Sequence, residues 1–312
     1  MSRERSVVKV IRNKPVIEGA GVHLKRVFGF GDTRSFDPFL LLDDFRSNDP
    51  AKYLPGFPWH PHRGIETITY MLDGSVEHGD SMGNAGSIGA GDVQWMTAGS
   101  GIIHQEMPKG DAQHRMGGFQ LWANLPASQK MMAPRYREVK KEQIPEVTAA
   151  DGVTVKVIAG TVGDTTGPVR DIVTEPEYID VTMAPQSSFV HSIPEGHNAF
   201  AYCIDGKALF CRADNPFGYS FEGAGYFDMP GERNLPDGTL VLFGDGERIT
   251  VTTADSPARF LLISGKPLRE PVAWSGPIVM NTRAELETAF EEYANGTFVK
   301  HGTEPRNRKT PG

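Results

Sequence analysis

The sequence predicts an all-β chain built as two β-barrels in tandem, with one short helix near the C-terminus. Three observations carry this reading. Runs such as ETITYML, GDVQWMT, GFQLWANL, VTVKVIAG, NAFAYCI, TLVLFG and ARFLLISG are short, rich in β-branched and aromatic residues, and bordered by Gly, Pro or Asp. That is the pattern of strands joined by tight turns. The 35 glycines and 23 prolines supply those turns, because glycine reaches positive φ without steric cost and proline presets the first turn position. Finally, two stretches match in order and spacing. Tyr70, Asp73 and Gly74 of TYMLDG lie over Tyr202, Asp205 and Gly206 of AYCIDG, and GDVQWM from Gly91 lies over GTLVLF from Gly238; such a match signals duplication.

A chain of 312 residues accommodates two domains of ordinary size. The duplication puts the junction in the polar stretch from Arg137 to Glu146, which gives an N-terminal barrel over residues 1–140 and a C-terminal barrel over 141–312. Within the latter, Thr282 followed three residues later by Glu285 forms a capping box. Leu286, Ala289, Phe290 and Tyr293 share a face and Gly296 follows, so a helix is expected over about 282–295. The final KHGTEPRNRKTPG has no apolar periodicity and reads as a mobile tail.

Composition narrows the function classes. With 39% apolar and 23% charged residues the chain reads as globular, and a formal net charge of −7 argues against a cationic surface for nucleic acid. No stretch approaches the roughly 20 apolar residues of a spanning helix, and the N-terminal MSRERSVVKVIRNK lacks the apolar core of a signal peptide. No membrane partner is expected, and the expected location is the cytoplasm. Cys203 and Cys211 stand in no metal or redox spacing and read as reduced thiols.

One constellation carries chemistry. In PWHPHRGIETITYMLDG, His60 and His62 are two apart and share one face of a strand. In GDVQWMTAGSGIIHQEMP, His104 and Glu106 repeat that alternation, while Ile103 and Gln105 face the other way. Three neutral imidazoles and one carboxylate around a divalent ion leave coordination positions open, a mixed set that suits Fe(II), Mn, Ni or Cu. His23, His114 and His301 lack such support and read as surface or packing residues, and His78 reads as a structural residue of a hairpin. By the repeat, Ser192, Pro194, Val251 and Thr253 stand opposite the four candidate ligands, and His191 and His197, six apart, do not share one strand face. One metal per chain is therefore expected, in the first barrel alone.

HPHRGIETITYMLDG followed by HGDSMGNAGSIGAGDVQWMTAGSGIIHQEMP resembles the pirin family, a branch of the cupin superfamily. The likeness continues through FQLWANLP, DGVTVKVIAG, FLLISGKPLREPV and GPIVMNT. It implies two cupin barrels of jelly-roll type, with iron held in the first by His60, His62, His104 and Glu106, and other divalent metals including Zn as alternatives. Many cupins draw the carboxylate ligand from the first motif, where Glu66 stands here. Sharing the strand parity of His62, Glu66 is expected near the metal.

The activity that the resemblance implies is that of a quercetin 2,3-dioxygenase, an iron-dependent oxidoreductase that opens a flavonol ring with O2. Metal polarisation lowers the pKa of the flavonol 3-hydroxyl, Glu106 or Glu66 accepts its proton, and Gln120 in GFQLWANL is a candidate pocket residue. The resemblance also implies a rival of another class: a metal- or redox-dependent co-regulator that binds a protein partner.

Overall fold

The computed structural model describes residues 3–211, 217–223, 225 and 234–301. The stretch expected to be a mobile tail lies outside the described residues from 302 onward. Strands come first as β1 (Val7–Arg12), β2 (Lys14–Glu18), β3 (Val22–Phe28), β4 (Phe39–Asp44), β5 (Phe57–His62) and β6 (Ile65–Asp73). They continue as β7 (Ser75–Asp80), β8 (Ala85–Gly89), β9 (Val93–Thr97), β10 (Ile102–Lys109), β11 (Gly117–Asn124) and β12 (Arg135–Val139). Next come β13 (Glu146–Ala150), β14 (Val153–Ala159), β15 (Thr161–Val162), β16 (Thr165–Thr166), β17 (Glu177–Met183), β18 (Ser188–Ser192) and β19 (Asn198–Phe210). The last are β20 (Ser220–Glu222), β21 (Leu235–Pro236), β22 (Thr239–Phe243), β23 (Arg248–Thr252), β24 (Ala258–Gly265), β25 (Ala273–Ser275) and β26 (Ile278–Met280). Helix α1 (Thr33–Phe36) and helix α2 (Pro50–Tyr53) are single turns, and α3 (Arg283–Ala294) is the one expected from the capping box.

Two sheet systems repeat one plan. One sheet runs β12-β9-β6-β11-β4-β3-β2 and its counterpart runs β1-β22-β19-β24-β17-β14-β13, with β20 added beyond β1. A smaller sheet β5-β10-β7-β8 is matched by the pairing of β18 with β23, β23 with β19 and β19 with β21. The register agrees with the aligned sequence: Tyr70 pairs Val93 in one half, and Tyr202 pairs Leu240 in the other. Both halves turn on a glycine, Gly74 at φ 70° and Gly206 at φ 64°. A Cβ at either would fall within 2.5 Å of a backbone oxygen, Lys109 O or Pro257 O, so only glycine fits. The chain is thus an all-β duplication with one short C-terminal helix, as expected.

Sequence order and compact units differ in detail. Residues 16–24, 41–140 and the described residues from Glu270 form one unit, here called the N-terminal unit. The described residues up to Pro15, residues 25–40 and residues 141–269 form the C-terminal unit. These units differ from a single cut between 140 and 141 in three segments. For the first segment the reason is hydrogen bonding: β1 lies in the C-terminal sheet between β22 and β20, with Val10 opposite Val241, the position that β12 holds beside β9 in the N-terminal sheet.

The C-terminal unit has an apolar interior, including Val155, Ile179, Val181, Phe189, Phe210, Phe243, Val251, Phe260 and Leu262. Each such side chain contributes about 1.5–3 kcal/mol on burial. Cys203 and Cys211 are buried free thiols, and burial raises both, Cys211 to about 11. In helix α3 the Thr282–Glu285 box is formed on both sides. Ala289 is fully buried against Ile278, Met280 and Phe298, whereas Phe290 and Tyr293 stay about 40% exposed. No helix among the described residues is long and apolar enough to cross a membrane.

Candidate metal centre

Strand β5 supplies His60 and His62 from one face, and β10 lies antiparallel beside it with His104 opposite His60 and Ile102 opposite His62. The ring centroids are 4.8 Å apart for His60 and His62, 4.4 Å for His60 and His104, and 5.0 Å for His62 and His104. One nitrogen of each ring lies within 4.8 Å of the others. A register shift follows His104, so that Glu106 faces Phe57, and its Oε2 lies 4.0 Å from His104 Nε2. The structure thus gathers the three histidines and brings Glu106 beside one of them.

The hydrogen bonds decide what the cluster can hold. His60 Nδ1 lies 2.8 Å from Pro58 O, and His62 Nδ1 lies 3.1 Å from Pro277 O. A carbonyl only accepts, so both Nδ1 atoms carry hydrogen and both Nε2 atoms present lone pairs. Those two Nε2 atoms stand 3.1 Å apart. Two lone pairs at that distance repel unless a cation lies between them. A proton is disfavoured there, since burial holds all three histidines below their ordinary value, and in His62 and His104 the neighbouring rings add to it. His104 Nε2 is buried with no hydrogen-bond partner. The donor set therefore fits a divalent metal ion. With Nε2 as its ligand atom, His104 turns Nδ1–H toward Tyr136 Oη, 3.4 Å away, the outer bond that a ligating histidine requires.

Glu106 is buried, and burial raises its carboxyl to about 7 against the opposing hydrogen bond of Thr69. Thr69 Oγ1 lies 3.4 Å from Glu106 Oε1 and 2.5 Å from Gln120 Oε1. Gln120 pairs Thr69 and Trp122 pairs Thr67 across β11 and β6, so these four side chains share the face turned to the histidines. Trp122 meets His62 edge-on at 5.1 Å. Gln120, the candidate pocket residue, thus lies on the side of β11 turned to the histidines.

Glu66 does not join the cluster. It alternates with Thr67 and Thr69 along β6 and pairs Thr97, so it faces the opposite side of the sheet. There it accepts from Thr97 Oγ1 at 2.6 Å, with Arg135 3.8 Å away. The parity count from His62 fails because Arg63 and Gly64 form a turn between β5 and β6. Gly64 has φ 78°, and a Cβ there would lie 1.9 Å from Val279 O. Strand alternation does not pass through such a residue.

The other histidines separate as follows. His23, His114 and His301 are exposed. Buried His78 pairs Glu106 across β7 and β10, stacks on Tyr136 at 5.8 Å and stands beside Glu138. His191 is hydrogen-bonded to Glu177 at 2.8 Å. In the C-terminal unit Val251 pairs Phe189 and Ile249 pairs His191. Phe189 and His191, rather than Ser192 and Pro194, are therefore the ladder counterparts of His60 and His62. Five residues, 193–197, join β18 to β19 where two join β5 to β6, and that added loop displaced the alignment. Sequence reasoning missed Thr69, Trp122, Tyr136 and the Pro277 carbonyl. The alternating threonines of ETITYML signalled a polar face, but no local signal marks a carbonyl 215 residues away from His62.

Fold and cluster together define a duplicated cupin protein with a three-histidine, metal-type centre in one half. The Pirin family matches residues 21–123, and the Pirin C-terminal cupin domain matches residues 178–299. The chain belongs to the pirin family. It is 42% identical to a pirin-like protein of Caulobacter vibrioides over 94% of this chain and 99% of that one. It is 37% identical to human pirin over 97% and 96%. Its structure is similar to that of a quercetin 2,3-dioxygenase from Acinetobacter baumannii, with TM-score 0.82 and 29% identity over 95% and 98% of the two chains.

Proposed function

We propose that this chain is a metal-dependent dioxygenase that opens the ring of a flavonol of the quercetin type with O2, using Fe(II) held by His60, His62, His104 and Glu106. The observation that carries this reading is the pair of Nε2 lone pairs 3.1 Å apart, fixed by carbonyls on their outer nitrogens. Kinship to the pirin family and likeness to a quercetin 2,3-dioxygenase supply the substrate class. Bound there, the ion supplies Lewis acidity toward a hydroxyl oxygen and a redox centre for dioxygen.

The remaining chemistry belongs to the protein. Glu106, buried beside His104, is the carboxylate placed to take the proton of a flavonol hydroxyl whose oxygen approaches the histidines. Once protonated, Glu106 Oε1 donates toward Thr69 Oγ1, whose own hydrogen goes to Gln120 Oε1. Glu66 is left out of this scheme, because its carboxylate faces Thr97 and Arg135.

The test follows quercetin absorbance and oxygen uptake for iron-loaded wild type, His104→Ala and metal-free protein. Only the first should turn over, and the other two should fall at least about a hundredfold below it. Equal rates in all three would mark background oxidation, sink the enzyme reading and shift the weight to a regulator with a protein partner.

A further inference from the structure

The hairpin of β25 and β26 brings a further side chain toward the centre. Its turn offers Pro277 O to His62 Nδ1, and Val279 N donates to Arg63 O at 3.1 Å. Lys130 Nζ ties it further, donating to Val279 O, to Gly64 O in the turn after His62, and to Asn124 Oδ1 at 3.1, 2.9 and 2.6 Å. The hairpin is therefore held in one place relative to the histidines.

On that hairpin stands Trp274. Its indole N–H donates to Gly276 O at 2.8 Å, which sets the ring orientation and uses up its one polar donor. The ring lies 5.9 Å from Trp122 at 40°, and Trp122 in turn lies edge-on to His62. The two indoles thus continue outward from the cluster, on the face that also carries Gln120. Trp274 is half-exposed.

We propose that Trp274, with Trp122, forms an aromatic wall that binds the outer ring of a multi-ring planar phenol and so selects such substrates over single-ring catechols. This rests on the flavonol reading above and adds the residue that sets ring-number specificity. A substrate whose oxygen end approaches the histidines extends its remaining rings along this wall, where offset or edge-on contact with indole is favourable. A catechol ends before reaching Trp274.

The test is anaerobic titration calorimetry on iron-loaded protein, so that no turnover accompanies binding. Trp274→Ala should raise the Kd for quercetin about tenfold, the loss of one aromatic contact. Trp274→Phe should stay within about threefold of wild type, and the Kd for catechol should change by less than about twofold. Iron content should match wild type in both variants. If wild type binds quercetin and Trp274→Ala binds it equally well, the wall is overturned while the flavonol reading stands. If affinity falls only together with iron content, the hairpin positions metal and the wall is again overturned. If wild type binds no flavonol, both fall.

Discussion

Burial makes the three histidines good ligands, and it also determines how metal binding responds to pH. Held below 6.5, they are neutral in the fold at pH values where the unfolded chain binds protons. Their contribution to metal-free stability is present above 6.5 and is lost as pH falls through their folded values. Glu106 runs the other way, with a folded value of about 7 against an ordinary 4.5. Its contribution is full below 4.5 and is lost as pH rises through about 7. At pH 7, then, metal uptake should release about half a proton per chain, from Glu106 rather than from the histidines, which are already neutral there. Calorimetry in two buffers of different ionisation heat measures this, and release of three protons would contradict it. Glu106→Gln should abolish the release and weaken binding, whereas Glu66→Gln should leave metal occupancy near that of wild type; the reverse order would put the carboxylate ligand at Glu66. The HxH and HxE spacings were legible in sequence because strand alternation is local. The role of Glu66 was not, because a positive-φ glycine interrupts the count.

Among the elements, the strands and helix α3 could be read from composition and caps, since both signals lie within a few residues. The C-terminal hairpin could not: its partners are Arg63, Gly64 and Lys130, each more than a hundred residues distant in sequence. Lys130 is 1% exposed, and burial pushes its ammonium down to about 7. Three acceptors matching its three hydrogens offset that burial. Lys130→Met should therefore strand three buried acceptors and cost about 3 kcal/mol in stability. It should also weaken metal binding, because Gly64 and Val279, in the hairpin that carries Pro277, lose their common tie. Thr282→Ala, which removes only the helix cap, should cost about 1 kcal/mol and leave metal affinity unchanged. Thermal melts of metal-free protein and metal titrations separate the two, and equal effects on affinity would disprove the coupling through Lys130.

For the molecule as a whole, duplication kept the sheet plan and changed the interior. The order of strands is the same in both halves, which the aligned TYMLDG and AYCIDG stretches made visible. The placement of β1 was not visible, because its pairing with β22 spans most of the chain. Inside the C-terminal unit, Phe189 and Val251 occupy the ladder pair that His60 and His104 form in the other. Both are buried in an apolar cluster, and the remaining His191 is engaged by Glu177. A phenyl ring and a valine offer no lone pair, so that ladder pair supplies none of the donors a dication requires to offset its lost hydration. The whole chain should therefore take up about one equivalent of divalent metal, bound entirely through the N-terminal unit. Elemental analysis of protein purified without chelator checks the count, and the same measurement on His60→Ala with His104→Ala checks the location. That double variant should retain less than about a tenth of an equivalent, since one imidazole and one carboxylate cannot close the set. Two tightly held equivalents in wild type, or one surviving in the double variant, would place a metal in the C-terminal unit, and Glu177 with His191 would then be the first pair to substitute.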